Sequence, residues 1–283
     1  MGLRFTKMHG LGNDFMVVDA INQSVNLKPA DIVALSRRDT GVGFDQCLLI
    51  ETSVEPGVDF FYRIFNADGQ EVGQCGNGAR CLARFVQHYG LTDKQSITVA
   101  TRTTRMQLYI NADQTVTVDM GQPQLDPTRI PMQALGQAPI YTIALTNNKT
   151  CDIHAVSVGN PHVVMIVTDL SQSPVQVLGQ QISEHPIFPE RTNVGFMQIS
   201  APDHISLRVY ERGCGETQAC GSGAVAAVAI GRLYHHLHET VRVTLPGGEL
   251  IVTWPELNES IFLTGPAAFV YEGEELMFAM DSP

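Results

Sequence analysis

The sequence predicts an α+β protein of two pseudo-symmetric domains, each a curved, mainly antiparallel β-sheet or barrel around a central helix. Three observations predict this class: an internal duplication, a predominance of β-branched and aromatic runs, and one helical pattern in each half. The chain has 283 residues, of which 44% are hydrophobic, so it is long enough to bury two cores of ordinary size.

The duplication relates the two halves of the chain in a constant order. Two Cys-Gly-x-Gly motifs begin at Cys75 and Cys220, 145 positions apart. We therefore expect two copies of one unit with a boundary near residue 122, where Gln122-Pro123 and Asp126-Pro127 supply turn residues. The matched segments are Gly12-Asn13 with Gly159-Asn160, Val42–Gln46 with Val194–Gln198, Asp59–Asn66 with His204–Glu211, and Cys75–Ala79 with Cys220–Ala224.

Most elements of each copy are predicted to be strands. A helical pattern follows directly after each Cys-Gly-x-Gly, at Ala79–Tyr89 and Ala224–Leu237. The second pattern is rich in alanine and almost uniformly apolar along its first half, which predicts a helix enclosed by a sheet. The predicted strands are Phe15–Val18, Phe60–Phe65, Ile97–Ala100, Val116–Met120, Val163–Val167, Ile205–Tyr210, Val241–Leu245 and Ile261–Leu263.

Composition argues against several classes of partner. The formal net charge is -11 and the 18 lysines and arginines are scattered, so we expect no nucleic-acid partner. The first residues lack the pattern of a secretory signal, and the apolar run Ala224–Ile230 is far shorter than the roughly 20 residues of a membrane span. A cytoplasmic protein without a membrane partner is expected, and a reducing compartment keeps its six cysteines as thiols.

Cys75 and Cys220 each stand directly before a predicted helix. A sulfur there lies near unpaired N–H groups and the positive end of the helix dipole, which favours the thiolate and suits acid–base chemistry. The adjacent glycines let backbone amides approach an anion such as a carboxylate. A single cysteine is more often a small buried residue, but the repetition favours function. The cysteines without a matched partner are expected to be buried and structural: Cys47, Cys81, Cys151 and Cys214.

Polar side chains in turns at the matched positions predict a pocket around the two cysteines, suited to a zwitterionic ligand with Arg212 as a carboxylate clamp. The histidines after the second helix, by contrast, lack the spacing of metal ligands and are expected to be solvated: His235, His236 and His238. No metal site is predicted. The pocket residues are Asn13, Gln46, Asn66, Asn77, Asn160, Asn193, Glu211 and Arg212.

Distinctive motifs run along nearly the whole chain, at His9–Phe15, Phe65–Gly69, Cys75–Arg80, Gly159–His162, Glu211–Thr217 and Ala219–Gly221. They resemble those of the diaminopimelate epimerases. This resemblance implies the diaminopimelate epimerase-like fold, a homodimer, and cofactor-independent interconversion of LL- and meso-diaminopimelate in lysine and peptidoglycan precursor biosynthesis. It implies domains at 1–121 and 122–265, with the first completed by a C-terminal strand at 266–280 that carries Tyr271, a candidate dimer contact.

The same resemblance assigns roles to individual residues. Cys75 and Cys220 are implied to be the acid–base pair, with His162 and Glu211 tuning the thiols. Ser222 stands where the family often has threonine, and a backbone contact survives that change. The implied substrate-binding residues are Asn13, Gln46, Asn66, Gly76, Asn77, Asn160, Asn193, Glu211, Arg212, Gly221 and Ser222.

Other interpretations of the sequence stay open. A pyridoxal phosphate enzyme needs a Schiff-base lysine, and none of the four lysines lies in a repeated motif, so no cofactor is expected. A proline-type racemase or a phenazine-pathway isomerase is a related alternative, although Asn66, Asn193 and Arg212 favour a substrate with a second amino-acid head. A redox or binding protein with a reversible disulfide between Cys75 and Cys220 is an alternative of another class.

Overall fold

A computed structural model of the chain describes residues 2–73, 75–146 and 149–275. Within these ranges the helices are α1 (Pro29–Ser36), α2 (Gly76–His88), α3 (Val175–Ser183) and α4 (Gly221–Tyr234). The strands are β1 (Leu3–Gly10), β2 (Asn13–Asp19), β3 (Gln46–Thr52), β4 (Phe60–Asn66), β5 (Glu71–Val72), β6 (Ser96–Ala100), β7 (Arg105–Ile110), β8 (Val116–Asp119), β9 (Tyr141–Ala144), β10 (Thr150–Ser157), β11 (Pro161–Ile166), β12 (Asn193–Ala201), β13 (His204–Glu211), β14 (Gly215–Thr217), β15 (Thr240–Leu245), β16 (Gly248–Thr253), β17 (Phe262–Gly265) and β18 (Ala268–Glu275). The predicted α+β class is confirmed.

The chain divides into two compact units. The first contains residues 2–118 and 266–275, and the second contains the described residues of 119–265. In the first unit β18 pairs antiparallel with β1, from His9 opposite Ala268 onwards. Residues 276–280 of the strand implied at 266–280 lie outside the described residues.

Both units follow one order of strand pairing. In the first, β1–β2 is antiparallel, β2–β3 parallel, β3–β4 antiparallel and β4–β6 parallel, and β6, β7 and β8 form an antiparallel meander. In the second, β10, β11, β12, β13, β15, β16 and β17 repeat that order and those directions. The duplication in the sequence is therefore a duplication of topology.

Each unit surrounds one helix with its sheet. Helix α2 packs against β1, β2, β3 and β7, and α4 packs against β10, β11, β12, β13, β16 and β17. Every side chain from Ala224 to Ile230 is fully buried, which confirms the helix predicted to be enclosed by a sheet. The outer faces are covered by α1, through Ile32 and Leu35, and by α3, through Val175 and Ile182.

Strand register corrects one of the sequence matches. Phe15 lies opposite Gln46 in the β2–β3 pair, and His162 lies opposite Asn193 in the β11–β12 pair. Asn193 therefore occupies the place of Gln46, whereas the Val-Gly-Phe similarity had aligned Gln46 with Gln198. That match was wrong because the similar letters begin five residues further along the second copy, while the strand pairing sets the true equivalence.

A matched ion pair fixes the short strand that precedes each cysteine. Arg63 on β4 binds Glu71 on β5 with two hydrogen bonds of 3.2 and 2.9 Å. Arg208 on β13 binds Glu216 on β14 in the same way, at 2.6 and 3.0 Å. Such paired hydrogen bonds orient the two strands relative to each other as well as stabilising them. Both units therefore lead the chain into the following helix in the same way.

No helix in the described ranges combines the length and apolar character that crossing a membrane requires.

Candidate active site

Cys75 is the N-cap residue of α2, in an extended backbone conformation. Its sulfur accepts a hydrogen bond from the Gly78 backbone N–H at 3.4 Å and donates one to Asn13 Oδ1 at 3.9 Å. A Cβ added at Gly78 would lie 3.2 Å from a Leu48 methyl group, so the close approach favours glycine there. The predicted setting, a sulfur beside unpaired helix N–H groups, is present in the first unit.

Amide side chains beside Cys75 are fixed by further contacts. Asn13 Oδ1 accepts a hydrogen bond from Asn77 Nδ2 at 3.1 Å, and Asn13 Nδ2 donates to Asp45 Oδ2 at 3.0 Å. Asn77 Oδ1 accepts from the Arg80 guanidinium at 2.9 Å. The structure therefore brings Asn13 and Asn77 together at Cys75, as the sequence predicted.

Gln46 and Asn66 form a second polar pair in the first unit. They lie opposite each other on β3 and β4, and Gln46 Nε2 donates to Asn66 Oδ1 at 2.8 Å. Gln46 Oε1 is buried and has no hydrogen-bond partner among the described residues. Because buried acceptors are rarely left unpaired, this oxygen is suited to receive an N–H group of a ligand.

Cys220 is the N-cap residue of α4 and is only 3% exposed. Its sulfur donates a hydrogen bond to Glu211 Oε2 at 3.1 Å and lies 3.6 Å from Ser222 Oγ. Thr217 Oγ1 donates to the other oxygen of Glu211 at 2.5 Å. Burial, and then the Glu211 carboxylate, raise the pKa of the Cys220 thiol well above its usual range.

The preference for a thiolate that a helix start creates is therefore outweighed at Cys220. The helix dipole favours an anion by a modest amount near the first turn. Complete burial disfavours the charged form, and an adjacent carboxylate adds repulsion. Both effects act on Cys220, so its sulfur is a thiol that donates to Glu211.

His162 is buried beside the same helix start. Its Nε2 lies 3.0 Å from Ser222 Oγ, 3.1 Å from Asn160 Oδ1 and 3.4 Å from Asn193 Nδ2. Burial, assisted by the positive charge of Arg212, lowers the pKa of His162 to about 3. The ring is therefore neutral at physiological pH, and Ser222 connects it to Cys220.

Asn193 fixes the backbone of the loop that follows β13. Its Oδ1 accepts from the Arg212 backbone N–H at 3.0 Å, and its Nδ2 donates to the Pro161 carbonyl at 3.2 Å. The exposed Arg212 side chain donates to the Glu190 carbonyl at 2.9 Å. One connected network thus brings together the residues predicted for the second unit: Asn160, His162, Asn193, Glu211, Arg212, Cys220 and Ser222, with Gly221 as the first residue of α4.

The remaining cysteines are only in part as expected. Cys47 and Cys81 are fully buried, and burial raises the pKa of each thiol, which confirms the structural interpretation for these two. Cys151 is half-buried and Cys214 is exposed. The expectation of burial was wrong for Cys214 because it lies in the turn between β13 and β14, where the backbone reverses at the surface.

The histidines after α4 require one correction. His235 Nε2 lies 3.0 Å from His154 Nε2, and His154 Nδ1 lies 2.7 Å from the Pro139 carbonyl. His235 is therefore partly buried rather than fully solvated, because the end of α4 packs onto β10. His236 and His238 are exposed, as predicted. In the described part of the chain, no three His, Cys, Asp or Glu side chains are grouped as a metal site would need.

Tyr271 and Gly76 complete the predicted set. Tyr271 lies on β18 and is 46% exposed; its hydroxyl donates to the Val42 carbonyl at 3.4 Å. Gly76 is the first residue of α2, and its carbonyl accepts from Arg80 at 3.5 Å.

Three supporting residues were not predicted: Asp45, Arg80 and Thr217. Each holds a predicted residue in place, namely Asn13, Asn77 and Glu211. A signal existed for Arg80 alone, since it is a charged residue between the small side chains of Ala79 and Cys81 near the start of a helix predicted to be central.

Comparison with known proteins gives a consistent family. The model of the diaminopimelate epimerase family matches residues 5–125 and 154–270. Diaminopimelate epimerase of Legionella pneumophila strain Corby is 61% identical over 273 residues, covering 96% of this chain and 99% of the relative. The enzyme of strain Paris has the same identity and coverage.

Solved structures share the fold at low sequence identity. A phenazine biosynthesis protein of the PhzF family from Bacillus anthracis is 18% identical, with a TM-score of 0.69, over 98% of this chain and 100% of that chain. A hydroxyproline epimerase from Agrobacterium vitis is 14% identical, also with a TM-score of 0.69, over 99% of this chain and 93% of that chain. These two likenesses concern the fold alone.

Proposed function

Because the chain belongs to the diaminopimelate epimerase family, we propose that it interconverts LL- and meso-diaminopimelate, with Cys75 and Cys220 as the two bases and without a cofactor. Such a reaction serves the biosynthesis of lysine and peptidoglycan precursors. One observation carries the mechanism. The matched cysteines are the N-cap residues of two equivalent helices, and each sulfur is hydrogen-bonded to polar groups predicted for the site, Asn13 beside Cys75 and Glu211 beside Cys220.

A two-base proton transfer requires one sulfur as thiolate and the other as thiol. In the direction that uses Cys75 as base, its sulfur takes the α-proton and the Cys220 thiol gives its proton to the opposite face of the same carbon. Cys75 then ends as a thiol and Cys220 as a thiolate, so protons and charge balance. The opposite direction uses the two groups in exchanged roles.

Electrostatic stabilisation replaces a cofactor in this proposal. Negative charge develops on the α-carbon and its carboxylate as the C–H bond breaks. Backbone N–H groups at the starts of α2 and α4, at Gly76 and Gly221, are suited to offset that charge. The raised pKa of Cys220 makes its thiolate a strong base in the direction in which it removes the proton.

Substrate binding is proposed to use the remaining polar groups. The unpaired Gln46 Oε1 suits an ammonium group, and Asn66, Asn193 and Arg212 suit the second amino-acid head. Asn13, Asn77, Asn160 and Ser222 lie beside the two cysteines or His162. They are proposed to orient the reacting end.

The redox alternative is disfavoured by the surroundings of Cys220. A thiol that exchanges readily is accessible and easily ionised. Cys220 is 3% exposed, and its ionisation is opposed by Glu211.

We also propose that the protein is a cytoplasmic homodimer with Tyr271 at the contact. A tyrosine that is 46% exposed on a strand offers apolar area with a polar end, and such side chains are enriched at interfaces. Sedimentation of the native protein and of Tyr271→Ala tests this, and an unchanged dimer in the variant would remove Tyr271 from the contact.

The decisive experiment measures α-deuterium incorporation from heavy water into each stereoisomer of diaminopimelate under reducing conditions. The native protein is expected to equilibrate both isomers, while Cys75→Ser and Cys220→Ser each abolish equilibration. Cys214→Ser is the matched control, since Cys214 is exposed and lies in the turn before the second motif. Full turnover by the double variant would refute the mechanism, and no turnover by the native protein would refute the substrate.

A further inference from the structure

An ionic cluster lies next to Asn13 in the first unit. The Arg38 guanidinium donates to both carboxylate oxygens of Asp14, at 2.9 Å each, and to Asp45 Oδ1 at 2.8 Å. Lys7 Nζ lies 2.6 Å from Asp14 Oδ2. Two cations thus balance two carboxylates, and the paired contact of a guanidinium with a carboxylate fixes direction as well as distance.

The two carboxylates of this cluster join two segments of backbone. The Asp45 backbone N–H donates to Asp14 Oδ1 at 2.9 Å, and the Asp14 backbone N–H donates to Asp45 Oδ2 at 3.1 Å. Asp14 is the second residue of β2, and Asp45 directly precedes β3. Because neighbouring carboxylates repel each other, the cation of Arg38 is what allows this approach. The cluster therefore fixes the start of β2 against the start of β3.

Arg38 is placed by a tightly packed turn between α1 and β3. Gly43 has a φ of +73°, and a Cβ added there would lie 3.1 Å from Arg38 Cα. The carbonyl of Gly43 accepts a hydrogen bond from Lys7 Nζ. The Arg38 guanidinium is therefore directed at the two carboxylates, although its side chain is 60% exposed.

Asp45 decides which way the Asn13 amide is oriented. A carboxylate can only accept hydrogen bonds, so Asn13 must direct its Nδ2 towards Asp45 Oδ2, which is 3.0 Å away. Asn13 Oδ1 is then free to accept from Asn77 Nδ2 at 3.1 Å and from the Cys75 thiol at 3.9 Å. An acceptor at this place favours the protonated sulfur, whereas a reversed amide would present N–H groups and favour the thiolate.

The second unit contains the equivalent amide, Asn160, without the cluster. Strand register places Pro161 and Thr192 at the positions of the two carboxylates, and neither side chain carries a charge. Asn160 Oδ1 lies 3.1 Å from His162 Nε2 instead. The same arrangement of strands is thus built without the ionic cluster, so its presence in the first unit points to the chemistry of Cys75 rather than to the fold.

We propose that Arg38 and Asp45 are positioning residues that act through Asn13. Arg38 holds the Asp45 carboxylate, and Asp45 holds the Asn13 amide with its oxygen towards the Cys75 sulfur. This inference rests on the proposed function of Cys75. When Cys75 has taken the α-proton, or is about to give one, its S–H group donates to an acceptor whose position is fixed in advance.

A double-mutant cycle tests whether Asp45 acts through Asn13. Asp45→Asn keeps the size of the side chain and replaces a group that only accepts by one that also donates. We expect kcat for epimerisation to fall about tenfold and KM to stay within about twofold of the native value, because the distal head of the substrate keeps its contacts. In Asn13→Ala the same substitution is expected to change kcat by less than about twofold. Equal effects in both backgrounds would overturn the proposal.

Alkylation of Cys75 by iodoacetamide gives the same cycle a readout without substrate, resolved by peptide mass spectrometry on the full-length protein. Asp45→Asn is expected to lower the pH midpoint of Cys75 alkylation by about half a unit, because Asn13 can then direct its N–H groups to the sulfur. Loss of a negative charge also lowers this midpoint, but that effect persists in Asn13→Ala, whereas the effect of the amide disappears. A shift of the same size in both backgrounds would contradict the proposed role of Asn13.

Arg38 has a matched control in its neighbour Arg37. Both side chains are 60% exposed, and Arg37 binds Asp39. Loss of the Arg38 charge by itself would raise the Cys75 midpoint, whereas release of the Asn13 amide lowers it. We expect Arg38→Met to lower the midpoint and to reduce kcat about fivefold, and Arg37→Met to leave both unchanged.

Arg38→Lys refines this test, because it keeps the charge but lacks the paired donors of the guanidinium, and it is expected to restore only part of the native kcat. A raised or unchanged midpoint in folded Arg38→Met would overturn the role of Arg38, and so would an equal loss of kcat in Arg37→Met. Alkylation of the exposed Cys214 serves as an internal reference.

Arg38→Met, alone and in Asn13→Ala, decides the matter if Asp45→Asn does not fold, since it leaves both carboxylates in place. The alkylation readout also separates this inference from the proposed function. Absence of diaminopimelate turnover by the native protein would refute the proposed function, while the alkylation cycle would still show whether Arg38 and Asp45 act through Asn13.

Discussion

The two copies share a backbone but differ in the chemistry around their cysteines. Both fix the preceding strand with an arginine–glutamate pair, Arg63 with Glu71 and Arg208 with Glu216. Beyond that point, the first copy has the neutral Asn66 where the second has Glu211, 145 positions later. The duplication therefore preserved the placement of the sulfurs and changed their charge environment.

This difference teaches that a helix start alone does not fix the protonation of a cysteine. The dipole contribution is similar for matched helices. Burial and neighbouring charges shift a pKa by several units, and these are what differ between Cys75 and Cys220. One fold can thus place matched cysteines in different electrostatic surroundings.

Among the variants considered, replacement of Glu211 should have the largest effect on the difference between the two cysteines. Glu211→Gln removes the carboxylate that accepts the Cys220 proton and opposes its ionisation. We expect the pKa of Cys220 to fall and its alkylation to become faster. Epimerisation should slow by about 100-fold, because proton transfer by Cys220 loses its partner.

Glu256→Gln is the matched control, since Glu256 is exposed in the same unit. Alkylation of Cys220 and the rate of α-deuterium incorporation are measured for both variants. Native rates in Glu211→Gln would show that the contact with Cys220 has no catalytic role.

Replacement of His162 should have an effect smaller than that of Glu211, and it should change how the stability of the folded protein depends on pH. The pKa of His162 is lowered to about 3 in the folded protein, below the value near 6.5 of an unfolded histidine. The neutral ring therefore contributes stability that is fully present above about pH 6.5 and is lost as the pH falls towards 3. Between neutral pH and about pH 4.5 this loss amounts to about 3 kcal/mol.

Urea unfolding of the native protein and of His162→Gln at these two pH values measures the contribution. The variant is expected to lose less stability on acidification than the native protein. His236→Gln is the control, because His236 is exposed. An identical pH dependence in the native protein and His162→Gln would contradict the lowered pKa.

The fold could be predicted from the sequence because strand periodicity and the repeat agree. The predicted strand Phe60–Phe65 is observed as Phe60–Asn66, and the helical pattern that begins at Ala224 is observed as Gly221–Tyr234. The outer helices α1 and α3 were not predicted, since each is short and covers the sheet with only a few apolar side chains. Their stability depends on packing onto the sheet, which local sequence does not display.

The candidate site was predictable where the two copies repeat each other. Cys75, Cys220 and the turn amides were found in this way. Arg80 and the protonation of Cys220 were not, because both depend on burial and on side chains distant in sequence. The equivalence of Gln46 with Asn193 was likewise not predicted, because it follows from strand register. Sequence similarity had suggested Gln198 instead.

The smallest predicted effect concerns two glycines, Gly78 and Gly223, which allow each helix start to lie close to the sheet. A Cβ at Gly78 would meet the ends of two side chains, Leu48 at 3.2 Å and Phe15 at 3.4 Å. A Cβ at Gly223 would meet a Val209 methyl group at 3.0 Å and the Cys220 sulfur at 3.3 Å. Alanine gains about 1 kcal/mol over glycine inside a helix, while overpacking costs about 1–3 kcal/mol.

These opposing contributions give different net results for the two variants. Gly78→Ala is expected to be close to neutral in stability, because the end of Leu48 can move. Gly223→Ala is expected to be destabilised by about 1 kcal/mol and to lose activity, because the Cys220 sulfur itself must shift. Urea unfolding and the rate of epimerisation measure both variants. Equal effects in the two would show that the second helix start tolerates displacement as well as the first, and that the position of the Cys220 sulfur is not tightly constrained.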